Sequence, residues 1–134
     1  MKRENVVKEF HEVMSHPVNA EWTPRLLDLR MSLVQEELLE INDEIVEIYV
    51  GLQSGDYPTV QQKARLLKEM ADLQYVLSGM AVCLGLPLQN AFSRVHESNM
   101  SKLGDDGKPV LREDGKVLKG PNYLPPTLLD LIDG

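Results

Sequence analysis

Between Arg30 and Glu40 the chain reads Arg-Met-Ser-Leu-Val-Gln-Glu-Glu-Leu-Leu-Glu, which sets three carboxylates, Glu36, Glu37 and Glu40, among Leu26, Leu33, Leu38, Ile41, Ile45 and Ile48. The apolar spacing predicts one long helix, and on a 3.6-residue repeat Glu40 is a neighbour of both Glu36 and Glu37. Stepping about 100° per residue, Glu37 falls between Leu26 and Ile48 inside the apolar arc, Glu40 falls close to Leu33, and Glu36 lies at the margin. Gln35 and Asp43 fall outside, where the polar groups of a surface helix belong. Carboxylates inside an apolar arc are costly to bury, and repulsion among them adds to that cost. A divalent cation relieves both.

A second acidic pair, Glu69 and Asp72, stands in the run Lys68-Glu-Met-Ala-Asp-Leu-Gln-Tyr-Val-Leu. Glu69 falls within the arc of Leu66, Leu73, Leu77 and Met80, and Asp72 is one turn on at its edge. If the two helices pack antiparallel across a connection at Gly51 to Pro58, the two acidic groups meet at similar depth, and five carboxylates line one pocket. A single Glu-Glu-x-x-Glu is also an ordinary feature of a charged, solvated helix. The second pair on an apolar face is what argues for a metal pocket. A donor set of carboxylates without imidazole or thiolate selects hard cations, Mg²⁺ first and Mn²⁺ second.

The chain has 134 residues, 43% of them hydrophobic and only 5% aromatic, which suits helices packed through Leu, Ile, Val and Met. A net charge of −7 argues against a nucleic-acid surface or an anionic membrane as partner. It leaves a nucleotide possible, because bound metal ions would supply the positive field that phosphates need. Cys83, the one cysteine, falls in an apolar helical run and is expected to be a packed thiol. No apolar signal region follows Met1-Lys-Arg-Glu-Asn, and no 18 uncharged apolar residues run together, so a cytoplasmic protein is expected.

Taken in order, Val6, Val7, Phe10, Val13 and Met14 predict a first helix over residues 4–15, ending before His16-Pro17. The loop from Pro17 to Trp22 holds the only tryptophan, readable as a core anchor or as a surface on which a base stacks. Thr23-Pro24 starts the second helix, which runs to about Gln53. The third runs from near Pro58-Thr59 to Leu84, with Gly85 as its stop, and Gly79 in its interior suggests close packing against a neighbour. The fourth runs from Leu88 to about Lys102. Residues 104–126 read as turns, with a small hairpin about Asp114-Gly115, and residues 128–132 as a short apolar turn. One domain over 1–134 is expected, with a helical core at about 4–103 and an irregular tail at 104–134.

Glu36-Glu37-x-x-Glu40, then 28 intervening residues, then Glu69-x-x-Asp72 resembles the signature of the all-α nucleoside triphosphate pyrophosphohydrolases: MazG-like proteins, the dimeric dUTPases and phosphoribosyl-ATP pyrophosphohydrolase. The tail segments Ser98-Asn-Met-Ser-Lys102 and Gly115-Lys-Val-Leu-Lys119-Gly-Pro-Asn-Tyr123 look like the small, single-domain MazG-like branch of bacteria and phages. The resemblance implies an all-α, four-helix bundle-like fold with an irregular C-terminal tail; two short helices cannot cover both faces of the second and third, so a homodimer or a dimer of dimers is expected. The resemblance also implies metal-dependent hydrolysis of a nucleoside triphosphate between the α and β phosphates, with two or more Mg²⁺ (or Mn²⁺) ions per site. Carried over position by position, Glu36, Glu40, Glu69 and Asp72 are expected metal ligands, and Glu37 is a further ligand or the base that orients the attacking water, so that Glu36 and Glu37 are the catalytic candidates. Asn99, Lys102, Lys116, Lys119, Tyr123 and Trp22 are expected on the substrate, and a dNTP such as dUTP or dGTP is expected by analogy.

Two rivals stand against this. A di-iron carboxylate protein normally uses two Glu-x-x-His pairs, and this chain has none. A non-catalytic helical module that binds metal or nucleotide is the other, and turnover separates it from an enzyme.

Overall fold

The structure is a computed structural model that describes residues 2–132. Four α-helices, α1 (Arg3–Val13), α2 (Pro24–Gln53), α3 (Val60–Leu84) and α4 (Leu88–Met100), precede a two-stranded antiparallel ribbon of β1 (Val110–Leu111) and β2 (Val117–Leu118) and a single 3₁₀ turn at Leu129–Leu131. In the ribbon Val110 pairs with Leu118 and Leu111 with Val117, across the turn at Asp114-Gly115. The fold is all-α, as the apolar periodicity and the family resemblance both led one to expect. Cα packing groups the chain into two units, the first ending at Leu86 and the second beginning at Pro87.

Each long helix begins at a cap the sequence announces. The Thr23 hydroxyl accepts from the Leu26 amide at 3.1 Å, and Pro24, which has no N–H to satisfy, occupies the first helical position. Thr59 and Gln62 exchange hydrogen bonds of 2.9 and 3.1 Å in a capping box, which satisfies two of the donors that α3 leaves open at its N-terminus. At the other end of α3 Gly85 takes a left-handed φ of +67°, and a Cβ there would collide with the Asn19 side chain.

Helices α2 and α3 form an antiparallel hairpin, as the order of contacts shows: Arg65 reaches Glu44 at 3.2 Å, while Arg30, near the start of α2, packs over Gly79, near the end of α3. Helix α1 lies against the C-terminal half of α3, where the Phe10 and Tyr75 rings meet edge to face and the Ser78 hydroxyl donates to Glu4 at 3.2 Å. The loop before α2 docks its amides on the last carbonyls of α3, Asn19 on Val82 at 2.9 Å and Ala20 on Cys83 at 2.8 Å. Leu26, Cys83 and Leu84 form the packed core there, with Ala20, Met80 and Leu86 around them. Cys83 is a buried thiol, and burial pushes its pKa up.

Within the first unit, among the described residues, only this end of the hairpin is covered. Helix α2 has 30 residues and α1 only 11, about 45 and 16 Å, so among the described residues of the first unit no third helix lies over the far half of the α2–α3 pair. There Leu38, Ile41, Ile45, Leu66, Met70, Leu73 and Leu77 line an apolar groove of about 580 Å³. Among the described residues no single helix is long and apolar enough to cross a membrane.

In the second unit α4 is tied to the tail by side chains. The buried Ser98 hydroxyl donates to the Leu124 carbonyl at 2.7 Å, the Leu124 amide donates to Ser101 at 3.0 Å, and Arg94 donates to Thr127 and to both oxygens of Asp130. Phe92 and Met100 stay exposed on α4 rather than packed.

Candidate metal centre

Helix α2 presents Glu37 and Glu40, three residues apart, and α3 presents Glu69 and Asp72 at the same spacing, so each helix aims two carboxylates across the seam. One oxygen from each of the four lies within 4.8 Å of the others, and all four residues are partly buried. The fifth acid, Glu36, is exposed and stands outside this group. The expectation of five carboxylates in one pocket therefore becomes four. The physical reason is angular: Glu36 precedes Glu37 by about 100°, and with Glu37 aimed at α3 that rotation turns Glu36 toward solvent.

The acids further along the seam share an arginine, and the central four do not. Glu44 and Glu47 pair with Arg65 at 3.2 and 3.4 Å, and Gln62 adds a bond to Glu47 at 3.3 Å. At the centre, Oε2 of Glu37 and Oε2 of Glu69 are covered from solvent with no hydrogen-bond partner among the described residues. The Glu69 carboxyl is pushed above its usual range, first by its contact with Glu40, then by desolvation and by the charges of Glu40 and Asp72, with Lys68 opposing. Buried acceptors left without donors cost free energy. Four carboxylates with two orphaned oxygens are the ligand set that a hard divalent cation satisfies, so the residues present fit such an ion.

Lys68 is the one cation at this cluster among the described residues, its Nζ 2.6 Å from Asp72 and 3.6 Å from Glu69. Its ammonium is held charged above its ordinary range, chiefly by the Asp72 contact. Reading the sequence for acids alone misses it, although Lys68 and Asp72 at i and i+4 are the signal that finds it. Arg30 was missed too. It lies two turns before Glu37 on the same face of α2, is 6% exposed, and its Nε has no partner among the described residues. Gly79 leaves the space this needs, since a Cβ there would lie 3.1 Å from Nε2 of His11 and 3.5 Å from Nη1 of Arg30. His11 donates from Nδ1 to the Pro17 carbonyl, 2.9 Å away, and burial lowers its pKa and favours the neutral ring.

The other candidates fall in two places. Trp22 belongs to the first unit, where its indole N–H donates to the Leu84 carbonyl at 2.9 Å while the ring stays 53% exposed. It is therefore a tethered surface ring, not the core anchor that a lone tryptophan also suggested. Leu84 is 12 residues beyond Asp72, about 18 Å along α3. The tail candidates belong to the second unit. There the Gly120 amide donates to the Lys102 carbonyl at 2.9 Å and the Lys102 amide to the Asn99 carbonyl at 3.2 Å, while Lys119 Nζ sits 4.9 Å above the Tyr123 ring. Lys116 is exposed where the hairpin turn enters β2, its amide bonded to Asp114.

The family model of phosphoribosyl-ATP pyrophosphohydrolase matches residues 7–99, and the chain belongs to that family, within the wider MazG-like group that its motifs resemble. It is a pyrophosphohydrolase of that fold. A solved structure from Exiguobacterium sp. 255-15, described by assignment as an NTP pyrophosphohydrolase, is 26% identical over 94% of this chain and 89% of its own, with a TM-score of 0.46. Among proteins of curated function none matches the chain.

Proposed function

We propose that the protein hydrolyses a nucleoside triphosphate between its α and β phosphates, releasing the monophosphate and pyrophosphate, with a deoxynucleotide such as dUTP or dGTP as substrate in control of the nucleotide pool. The observation that carries this reading is the pair of covered, partnerless carboxylate oxygens inside a four-acid group 4.8 Å across. Mg²⁺, or Mn²⁺ in its place, supplies charge neutralisation on the phosphates and activation of the attacking water when bound. Glu37, Glu40, Glu69 and Asp72 hold the ions. Glu36, turned to solvent at the mouth of the group, is better placed as an outer ligand or a water-orienting base than as an inner ligand. Lys102, Lys116 and Lys119 offer the cations that the polyphosphate needs and the acid seam lacks, with Asn99 and Tyr123 beside them. Trp22 offers a face on which a base stacks.

The apolar groove along Leu38, Ile45, Met70 and Leu77 supports a second copy as its cover, in a homodimer or a dimer of dimers. In that assembly the tail of one copy completes the site of another. The protein acts in the cytoplasm on a small molecule, without nucleic acid or membrane.

A panel of dNTPs and NTPs with Mg²⁺ or Mn²⁺ tests the reading, with products resolved. Monophosphate plus pyrophosphate is expected. Diphosphate plus phosphate, or no turnover on any member of the panel, would overturn it, and the second outcome would favour a binding module.

A further inference from the structure

We propose that Lys68 is the resident counter-ion of the four-acid group: its ammonium occupies the place of a divalent ion in the metal-free protein, must withdraw before an ion binds, and so sets the affinity of the site for metal. This rests on the metal reading above and assigns Lys68 as a positioning residue that acts through Asp72 and Glu69.

Three observations lead there. Lys68 precedes Glu69 by one residue and Asp72 by one helical turn, and its Nζ contacts both carboxylates, at 3.6 and 2.6 Å. These are two of the four groups whose oxygens converge. The Lys68 side chain is 66% exposed while that of Glu69 is 15% exposed, so the ammonium enters from the solvent side and can leave without disturbing any packing. Finally, Arg65, the nearest other cation on α3, is committed to Glu44 and Glu47 and leaves the central acids to Lys68 alone among the described residues.

A divalent ion and this ammonium compete for one oxygen shell. Mg²⁺ binds a carboxylate oxygen at about 2.0–2.1 Å. An ion so placed on Asp72 would stand within about 4–5 Å of an ammonium 2.6 Å from the same carboxylate, two positive centres with no group between them. The flexible four-carbon stem lets the ammonium move outward into water. In the absence of metal the same ammonium limits the repulsion among four acids, which keeps the seam closed and the ligands in register.

Calorimetric titration of Mn²⁺ into metal-free wild type, Lys68→Met and Lys68→Arg, without nucleotide, tests this directly. Lys68→Met is expected to bind about fivefold more tightly, the size of an exposed charge contact, with the gain shrinking as salt rises. Lys68→Arg is expected to stay within about twofold of wild type, because the charge is retained. Thermal unfolding supplies a second reading: metal-free Lys68→Met melts below wild type, and saturating Mn²⁺ closes or reverses the gap. General structural damage would weaken metal binding, so a tighter variant cannot arise that way. Equal or weaker binding by Lys68→Met overturns the proposal and leaves the metal centre intact, and so does an Arg variant as tight as the Met variant. Wild type that takes up no Mn²⁺, and behaves like Glu40→Gln, overturns the metal reading and this proposal together.

Discussion

In the α2–α3 seam carboxylates face carboxylates, whereas in the tail beyond α4 two aspartates, Asp114 and Asp130, each face an arginine. Glu69 is pushed up by its contact with Glu40, while Asp130, gripped by Nη1 and Nη2 of Arg94 at 2.6 and 2.8 Å, is pulled down. Asp114 is pulled down likewise by Arg112. Those two ion pairs are closed within the second unit. The seam leaves negative charge over, with Lys68 as partial relief, an arrangement that a cation from outside would satisfy. The two regions also differ in what defines them: side-chain periodicity builds the seam, and backbone close approach builds the tail.

The most severe way to break the seam side of this contrast is to neutralise one ligand. Glu40→Gln or Asp72→Asn should cost on the order of a thousandfold in turnover while circular dichroism and melting remain those of a folded protein, since several kcal/mol of transition-state stabilisation depend on the ions. Near-normal steady-state rates in either variant would remove the four-acid group from the chemistry.

On the tail side, Gly120 is the vulnerable position. A Cβ there would meet the Leu103 and Lys102 carbonyl oxygens inside van der Waals contact. Gly120→Ala should therefore cost about 1–3 kcal/mol within the second unit, as overpacking does. Hydrogen exchange should rise at Gly120 and Leu124 and stay unchanged in α2 and α3. Faster exchange across both units would mean that the damage is not confined to the second.

A smaller effect is expected at the start of α3. Thr59→Ala deletes the capping box and should lower stability to urea by about 1 kcal/mol without changing metal affinity. An altered Mn²⁺ affinity would show that the acids depend on that cap for their register.

The smallest effect sharpens the comparison most. Glu69 has a folded-state pKa above its ordinary value, so the stability it contributes is complete below the carboxylate range and is lost as pH rises through the raised value. Asp130 and Asp114 have lowered values, so their contribution is complete above the carboxylate range and is lost as pH falls through the lowered values. Taking metal-free protein from the acid end of that range to neutrality should loosen the seam and tighten the tail. Hydrogen exchange corrected for its intrinsic pH dependence measures both, and saturating Mn²⁺ should cancel the seam response alone. Parallel responses in the two regions would erase the distinction.

Much of the architecture was legible because the signals are local. Thr23-Pro24, Thr59 with Gln62, and Gly85 mark helix ends through groups within one turn of themselves, and the structure places α2 and α3 accordingly. The hairpin at Asp114-Gly115 is local in the same way. Trp22 was harder to read, because its indole partner, the Leu84 carbonyl, is 62 residues away. Glu36 was harder still, since a margin position on one helix goes inward or outward according to the exact rotation of that helix against its neighbour.

From the order of its residues alone, this chain determines four helices, their caps, and two acid pairs each held on one face by the 3.6-residue repeat, because those properties depend on neighbours within a few positions. Only the tertiary packing decided that Glu36 stays outside the group in which Glu37 meets Glu40, Glu69 and Asp72, and that Arg30 is enclosed over Gly79. Those outcomes depend on how two helices rotate and approach, a balance of contacts between residues far apart in the chain that no local pattern contains.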